Sequence, residues 1–223
     1  MAIFNKSVEQ AQAAVTKAQS VVTEWENKAA AARAEAARLD AEAGAAILAD
    51  ESAAERITLN IQAHERKARA FDGAAEEAKQ KLRAAQREAL ESEAREEDKQ
   101  AAAAKKEATS HAAKVSALLK ELEQLDDCAW ERAPIRDHIT GGNAGQALGK
   151  AGYLDFSAHR HETRAAVIRY FVATGAIAYD FYLLDNELGT KLNTLASFNQ
   201  GDYIPQSVYA ARDAGLSFQE AAA

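Results

Sequence analysis

The side chains best suited to binding a metal ion lie close together in the second half of the chain. His159, His161 and Glu162 form this group, and His138 lies upstream of it. Imidazole and carboxylate groups are common zinc ligands, but residues two apart on a helix point in different directions. The stretch HETRA, residues 161–165, also has alanine where the metalloprotease motif requires its second histidine. We therefore predict no bound metal and interpret these residues as an exposed or helix-capping cluster.

The chain has one cysteine, Cys128, which excludes an intramolecular disulfide and a zinc site built from several thiolates. Because it stands near Trp130 at the end of a leucine-rich stretch, we expect a small buried thiol rather than a nucleophile. We predict no catalytic residue and no enzymatic activity. A single cysteine fits a reducing compartment, and the opening residues MAIFNKSVEQ lack the apolar run of a secretory signal. We therefore expect a cytoplasmic protein.

The glycine-rich segment TGGNAGQALGKAG, residues 140–152, raises the question of phosphate binding by backbone amides. The spacing from Gly145 to Gly149 is one residue too short for a Walker A loop, and Ala151 replaces the required serine or threonine. We therefore predict a glycine-rich linker over residues 134–152, and no nucleotide, other small-molecule substrate or cofactor.

The elements that would position these residues are helices. Ser7 with Gln10 forms a capping box, and a seven-residue repeat of apolar residues follows it without interruption. We predict a coiled-coil helix over residues 7–48. Its core positions are Val8, Ala11, Val15, Ala18, Val22, Trp25, Ala29, Ala32, Ala36, Leu39, Ala43 and Ala46.

The stretch LADESAAE predicts a tight reversal after this helix. Asp50 falls where the next core residue is expected, and Ser52 with Glu55 forms a second capping box. A new apolar register then runs from residue 54 to residue 89, and His64 is its one polar member. We predict that this second helix lies antiparallel to the first.

Alanine occupies most core positions of both helices, where a coiled coil ordinarily has leucine. Small side chains let two helix axes approach to about 8 Å, and alanine has the highest helix propensity. Each buried methylene contributes only about 0.8 kcal/mol, so the core of such a hairpin is thin. We expect the hairpin to need further partners.

Residues 88–107 keep helix-forming residues but lack a broad apolar stripe, which indicates a solvated helix or a hinge. Apolar spacing then returns, with His111 at one core position. The second helix either continues from residue 52 to about residue 130, or the chain folds back into a third helix. The hairpin cannot cover the leucines at this end, so we predict that they bind a second copy or another protein; packing on the chain's own C-terminal domain is the alternative. The predicted interaction residues are Val115, Leu118, Leu122 and Leu125.

The aromatic residues are concentrated after residue 152, which is the composition of a compact core. We therefore predict a coiled-coil region over residues 1–133 and a small helical domain over residues 153–223, with the linker between them. Near the end of the chain, Pro205 is suited to begin a short helix and Gly215 to end it.

Residues 165–184 have the length of a membrane span but contain charged residues, which are costly inside a bilayer. We predict a buried helix of a soluble domain, or two short helices separated at Gly175. Arg169 is expected to pair with Asp180 or Asp185.

The formal net charge is −7, from 27 basic and 34 acidic residues, and neither half of the chain is basic. We therefore predict no binding to nucleic acids, which needs clustered lysine and arginine. The long helices also lack the basic polar face and large apolar side chains of helices that lie on membranes. We predict no stable insertion into a membrane.

The sequence thus predicts an all-α protein: a long alanine-rich antiparallel coiled-coil hairpin, of two or three helices, followed by a small helical C-terminal domain. Such a protein fits a non-enzymatic assembly, scaffold or adaptor function through helix–helix association, and its plan resembles that of phage scaffolding proteins. Two alternatives stay open. One is a peripheral membrane-associated helical protein, and the other is a small metal-binding or enzymatic module in residues 135–223.

Overall fold

A computed structural model describes residues 7–50, 52–129, 149–188 and 203–218. Within these ranges every regular element is an α-helix, which confirms the predicted all-α class. Contacts between Cα atoms divide the chain into two compact units, a first unit of residues 1–89 and a second unit of residues 90–223. We number the helices α1 (Val8–Ala49), α2 (Ala53–Asp126), α3 (Gly149–Thr174), α4 (Phe181–Leu188) and α5 (Gln206–Asp213).

The first unit is the predicted antiparallel hairpin, in which α1 packs against the first part of α2. Lys79 Nζ of α2 lies 3.1 Å from Glu26 Oε1 of α1, and Arg33 Nη2 of α1 lies 2.5 Å from Asp72 Oδ2 of α2. The residue number in α2 falls as the number in α1 rises, which is the pattern of antiparallel neighbours. These four side chains are 39–56% exposed, so the two ion pairs align the helices but add little stability.

The alanine seam lies where the seven-residue repeat predicts it. Every predicted core position of α1 after Val8 is buried or partly buried, and so is every predicted position of α2 up to residue 89. The larger side chains Trp25 and Phe71 face each other across the hairpin, with ring centroids 5.7 Å apart. The fully buried part of the seam is made of small residues: Ala11, Val22, Ala29, Ala32 and Ala36 of α1, with Ala68, Ala75 and Ala78 of α2.

Side-chain hydrogen bonds cap the start of α1 and shape the turn that follows its end. The predicted capping box is present, since the Gln10 N–H donates to Ser7 Oγ and the Ser7 N–H donates to Gln10 Oε1, each at 3.2 Å. At the reversal, Asp50 has extended backbone, and its carboxylate accepts from the N–H and the hydroxyl of Ser52. These hydrogen bonds lower the pKa of Asp50. The reversal is confirmed, whereas the second capping box, Ser52 with Glu55, stays a prediction.

Helix α2 is continuous from Ala53 to Asp126, so the chain does not fold back into a third helix within this range. The two units divide between Ala89 and Leu90, inside α2. Composition predicted a division near Pro134, which lies outside the described residues. The difference arises because the later part of α2 shares its apolar face with the C-terminal helices.

The expectation that residues 88–107 face solvent was wrong. Leu90, Ala94 and Ala101 of this stretch are buried, with 6%, 1% and 3% of their surface exposed. They lie on a narrow stripe of α2 that has one residue per helical turn, and Glu97, between Ala94 and Ala101, is the fourth residue of that stripe. A single charged residue in so narrow a face was enough to hide the apolar repeat.

The core of the second unit is built on α3. Ala165, Ile168 and Phe171 are completely buried there. They form one apolar cluster with residues from each neighbouring helix and from the segments beside them. The other members of this cluster include Leu90 and Ala94 of α2, Leu184 of α4, Val208 and Ala211 of α5, and Ile177, Tyr203 and Ile204 between the helices.

Glycine and proline set the ends of the C-terminal helices. Gly175 has a φ of +71°, and of the two predicted alternatives for this stretch, the separation into two helices at this residue is the one observed. Pro205 precedes α5, and Gly215, with a φ of +65°, follows it, as predicted. The predicted linker was too long, because its last four residues belong to α3, which begins at Gly149; residues 134–148 lie outside the described residues.

Residues 165–184 are divided between α3, the turn at Gly175 and α4. The buried apolar residues of this stretch belong to the core just described: Ala165, Ala166, Val167, Ile168, Phe171, Val172, Ile177, Ala178 and Leu184. Among the helices of the described residues, none combines the length and the apolarity needed to traverse a bilayer.

The last turns of α2 are acidic. Glu121, Glu123 and Asp126 lie in this stretch, and its final turn contains no basic residue. Asp127 leaves the helix with a φ of +52°, the left-handed conformation that commonly ends helices. Cys128 is exposed, so the expectation of a buried thiol was wrong. The helix end around it is exposed as well, from residue 120 to residue 129.

Candidate interaction surface

The residues considered as metal ligands bind separate neighbours. His161 Nδ1 lies 2.5 Å from Glu97 Oε2, and Glu162 forms an ion pair with Lys105. His159 lies one helical turn from Glu162 and is buried. In the described parts of the chain, no three histidine, cysteine, aspartate or glutamate side chains come together in a way that could hold a metal ion.

A buried carboxylate in α2 holds α3 in place. One oxygen of Glu97 faces His161 Nδ1, and the other accepts a 2.8 Å hydrogen bond from Arg164 Nε. The Glu97 side chain is only 10% exposed, and the His161 side chain only 14%. A buried carboxylate requires such partners, because burying an unpaired charge is costly. The three side chains, which we call the Glu97 cluster, therefore fix one register of α3 on α2.

The Glu97 cluster was not predicted from the sequence, although part of the pattern that indicates it is present there. Leu90, Ala94 and Ala101 are spaced as core positions of a seven-residue repeat, and Glu97 completes the series. A carboxylate at such a position predicts buried partners. The identity of those partners was not readable, because it depends on how α3 packs against α2.

Further ion pairs join α2 to α3. Asp98 binds Arg169 through both carboxylate oxygens, which corrects the expected pairing of Arg169 with Asp180 or Asp185. The expected partners were chosen for proximity in sequence, whereas the observed one lies on the neighbouring helix. Nearest the C-terminal end of α2, Lys150 Nζ is 3.0 Å from Glu107. These exposed pairs contribute to the orientation of α3 more than to stability.

His159 is the buried histidine of this region. Its ring packs edge-on against that of Tyr203, with centroids 6.0 Å apart. Burial lowers the pKa of His159 below its usual value, because the charged imidazolium loses contact with water. Nearby Lys105 acts in the same direction, while Glu162 and Asp185 oppose it. The neutral form of His159 is thus part of the folded second unit.

The predicted interaction residues lie in the last turns of α2. Leu118, Leu122 and Leu125 expose 59%, 41% and 80% of their surface, while Val115 is partly buried. Spacings of four and three residues place them on one side of the helix. We call Val115, Leu118, Leu122 and Leu125 the leucine face. Packing of these leucines on the chain's own C-terminal helices, the alternative considered above, is not observed among the described residues.

The remaining histidines are less distinctive. His64 and His111 are partly buried at the core positions where the repeat places them. His138 lies outside the described residues, as does the larger part of the glycine-rich segment.

The described geometry therefore offers two distinct features, an internal cluster of paired charges and an external apolar helix face. The side chains of the Glu97 cluster bind one another, whereas the leucine face is open to another molecule. Comparisons of the chain with protein-family models, with curated proteins and with solved structures found no match.

Proposed function

We propose that this protein is a non-enzymatic assembly protein, a scaffold or adaptor, that associates with itself through the leucine face. The observation that carries the proposal is the exposure of Leu118, Leu122 and Leu125 along one side of α2. Full burial of a leucine side chain contributes about 1.5–3 kcal/mol relative to exposure. A helix face with three such residues in line is typical of helix–helix interfaces.

The charged groups of the second unit support a structural role for that unit. His161, Arg164 and Arg169 of α3 are engaged with carboxylates of α2. These side chains orient α3 and strengthen the part of the second unit from which the leucine face extends. This use of ionisable side chains favours assembly over catalysis.

The first unit fits the same function. Its seam of methyl groups makes a straight, closely packed hairpin whose thin core gains from additional contacts. We extend the proposal to a reducing compartment, the cytoplasm, because the chain's single cysteine is an exposed thiol.

Analytical ultracentrifugation over a range of concentrations tests the proposal. The wild-type chain is expected to form a reversible oligomer, and the triple variant Leu118→Gln/Leu122→Gln/Leu125→Gln is expected to sediment as a monomer. The matched control is Leu48→Gln/Leu59→Gln, which alters leucines that are 92% and 59% exposed elsewhere. A wild-type chain that stays monomeric at about 100 μM, or a control variant that dissociates as fully as the triple variant, contradicts the proposal.

A further inference from the structure

Along one edge of the leucine face the charge changes sign between two successive repeats, from Lys114 to Glu121. Lys114 lies before the leucine face begins, whereas Glu121, Glu123 and Asp126 lie within it or at its end. All four side chains belong to exposed residues. A helix with a basic residue before the centre of its apolar seam and an acidic residue after it, both at the same edge, is complementary to a copy of itself that runs in the opposite direction.

We propose that residues 107–126 of α2 bind the same residues of a second copy in an antiparallel pair, with Lys114 facing the partner's Glu121. The two helices cross at a two-fold axis between Ser116 and Ala117. This inference rests on the proposed function, since it specifies the partner and the geometry of the association.

The apolar residues fit this register. Val115, Leu118, Leu122 and Leu125 have the alternating spacing of coiled-coil core positions, and Ala108 and His111 extend the series. In the antiparallel pair each leucine meets a smaller or less apolar residue. The opposed residues are Leu118 with the partner's Val115, Leu122 with the partner's His111, and Leu125 with the partner's Ala108. Facing large and small side chains fill an interface without voids.

The flanking charges select this register from its alternatives. Lys114 and Glu121 each directly precede a core residue, so both lie at the same edge of the apolar seam. In an antiparallel pair like edges meet, and two Lys114–Glu121 contacts form by symmetry. If one copy is shifted along the other by one seven-residue repeat, Glu121 faces the partner's Glu121. A parallel pair places Glu121 against the partner's Asp126, and like charges are unfavourable there as well.

Access to the segment is consistent with the pairing. Among the described contacts between α2 and α3, Lys150–Glu107 is the one nearest the C-terminal end of α2. The residues of α2 beyond residue 107 include the leucine face, and residues 120–129, at and just after the end of α2, are exposed. The twenty residues from 107 to 126 give a seam about 30 Å long.

Charge reversal tests the register. At low ionic strength, Lys114→Glu and Glu121→Lys should each weaken self-association about tenfold, because each creates two like-charged contacts. The double variant Lys114→Glu/Glu121→Lys restores opposite charges, and its dissociation constant should return to within about threefold of wild type. Lys120→Glu is the matched control, since Lys120 is exposed and lies away from the seam, and it should change the dissociation constant less than threefold.

A second measurement determines whether the two copies of α2 run antiparallel or parallel, and it requires no substitution. Cys128 is the single cysteine and is exposed, so a spin label can be attached to it in the native sequence. The antiparallel pair places the two labelled residues about 35 Å apart, from 1.5 Å per residue on both sides of the axis. A parallel pair places them about 10 Å apart. Electron–electron dipolar spectroscopy distinguishes these distances.

The outcomes separate this inference from the proposed function. Rescue by the double charge reversal, together with the longer label distance, supports the antiparallel pair. A leucine-dependent oligomer in which the double variant binds no better than the single variants, or in which the labels are close, overturns the register and leaves the proposed function standing. Absence of any oligomer overturns both.

Discussion

The carboxylate of Glu97 lies between Nδ1 of His161, at 2.5 Å, and Nε of Arg164, at 2.8 Å, and so joins α2 to α3 inside the second unit. Every other residue of the stripe to which Glu97 belongs is apolar and buried. The stripe by which α2 packs on α3 is therefore apolar except at Glu97, and the bonds of this carboxylate to His161 and Arg164 help to define how the two helices are aligned.

Removing the charge of Glu97 should destabilise the second unit. Glu97→Gln keeps the size of the side chain but weakens its bonds to His161 and Arg164, and we expect a loss of about 2 kcal/mol. Hydrogen exchange of the α3 amides reports this loss locally. Glu96→Gln is the matched control, because the neighbouring Glu96 side chain is 45% exposed and paired with Lys99, and its effect should stay below about 0.5 kcal/mol. Equal effects of the two substitutions would show that the Glu97 cluster does not hold α3.

Acidification should weaken the second unit through His159. Burial holds its pKa below the ordinary 6.5, so the unfolded chain binds the proton more readily than the folded one. The stabilisation from neutral His159 is therefore fully present above the pKa that this histidine has in the unfolded chain. It is lost as the pH falls below about 6.5 towards the lower pKa of His159 in the folded chain. Hydrogen exchange of α3 at a series of pH values measures this loss. His159→Gln should flatten the dependence, and an unchanged slope would assign it to other groups.

Enlarging the seam of the hairpin should separate α1 from α2. Ala32 and Ala36 are each 7% exposed, and replacing both by leucine introduces side chains for which the seam has no space. We expect a loss of about 2 kcal/mol or a change in oligomer number. Thermal unfolding by circular dichroism and light scattering measure the two effects. The control Ala30→Leu/Ala37→Leu alters exposed positions of the same helix and should be nearly neutral; similar losses in both variants would contradict the close packing.

Two glycines should respond to alanine in opposite directions. Gly175 has a φ of +71°, so Gly175→Ala strains the end of α3 and should cost about 1 kcal/mol. Gly73 is exposed within α2, and an added Cβ there meets nothing within 4 Å. Gly73→Ala should therefore stabilise the first unit by about 1 kcal/mol through helix propensity. Hydrogen exchange in each unit measures the two changes in stability. A Gly175→Ala substitution that stabilises the second unit would contradict the described turn.

The hairpin was predictable because its signal is repeated many times along α1 and α2. Each core position, from Ala11 to Ala46 in the first helix, contributes the same periodic information, so no single residue decides the result. Breaks in the backbone were predictable for a different reason. Gly175 and Pro205 have restricted or unusual conformational preferences that act locally.

The pairing of side chains between helices was not predictable in the same way. Periodicity identifies the side of a helix that is buried but does not identify its neighbour. Arg169 illustrates this, because its partner Asp98 lies 71 residues earlier in the chain and on another helix. The narrow face of residues 90–101 was missed because Glu97 interrupts it, and the exposure of Cys128 was missed because the end of α2 that precedes it is itself exposed.

The acidic last turns of α2 lie at the negative end of the helix macrodipole, where anionic side chains are unfavourable. In a dilute chain these turns should fray, since Glu121, Glu123 and Asp126 repel the unpaired carbonyl groups of the helix end. A lysine supplied by a second copy would offset that repulsion. Association would then lengthen α2, so that the extent of ordered helix in this protein depends on its own concentration.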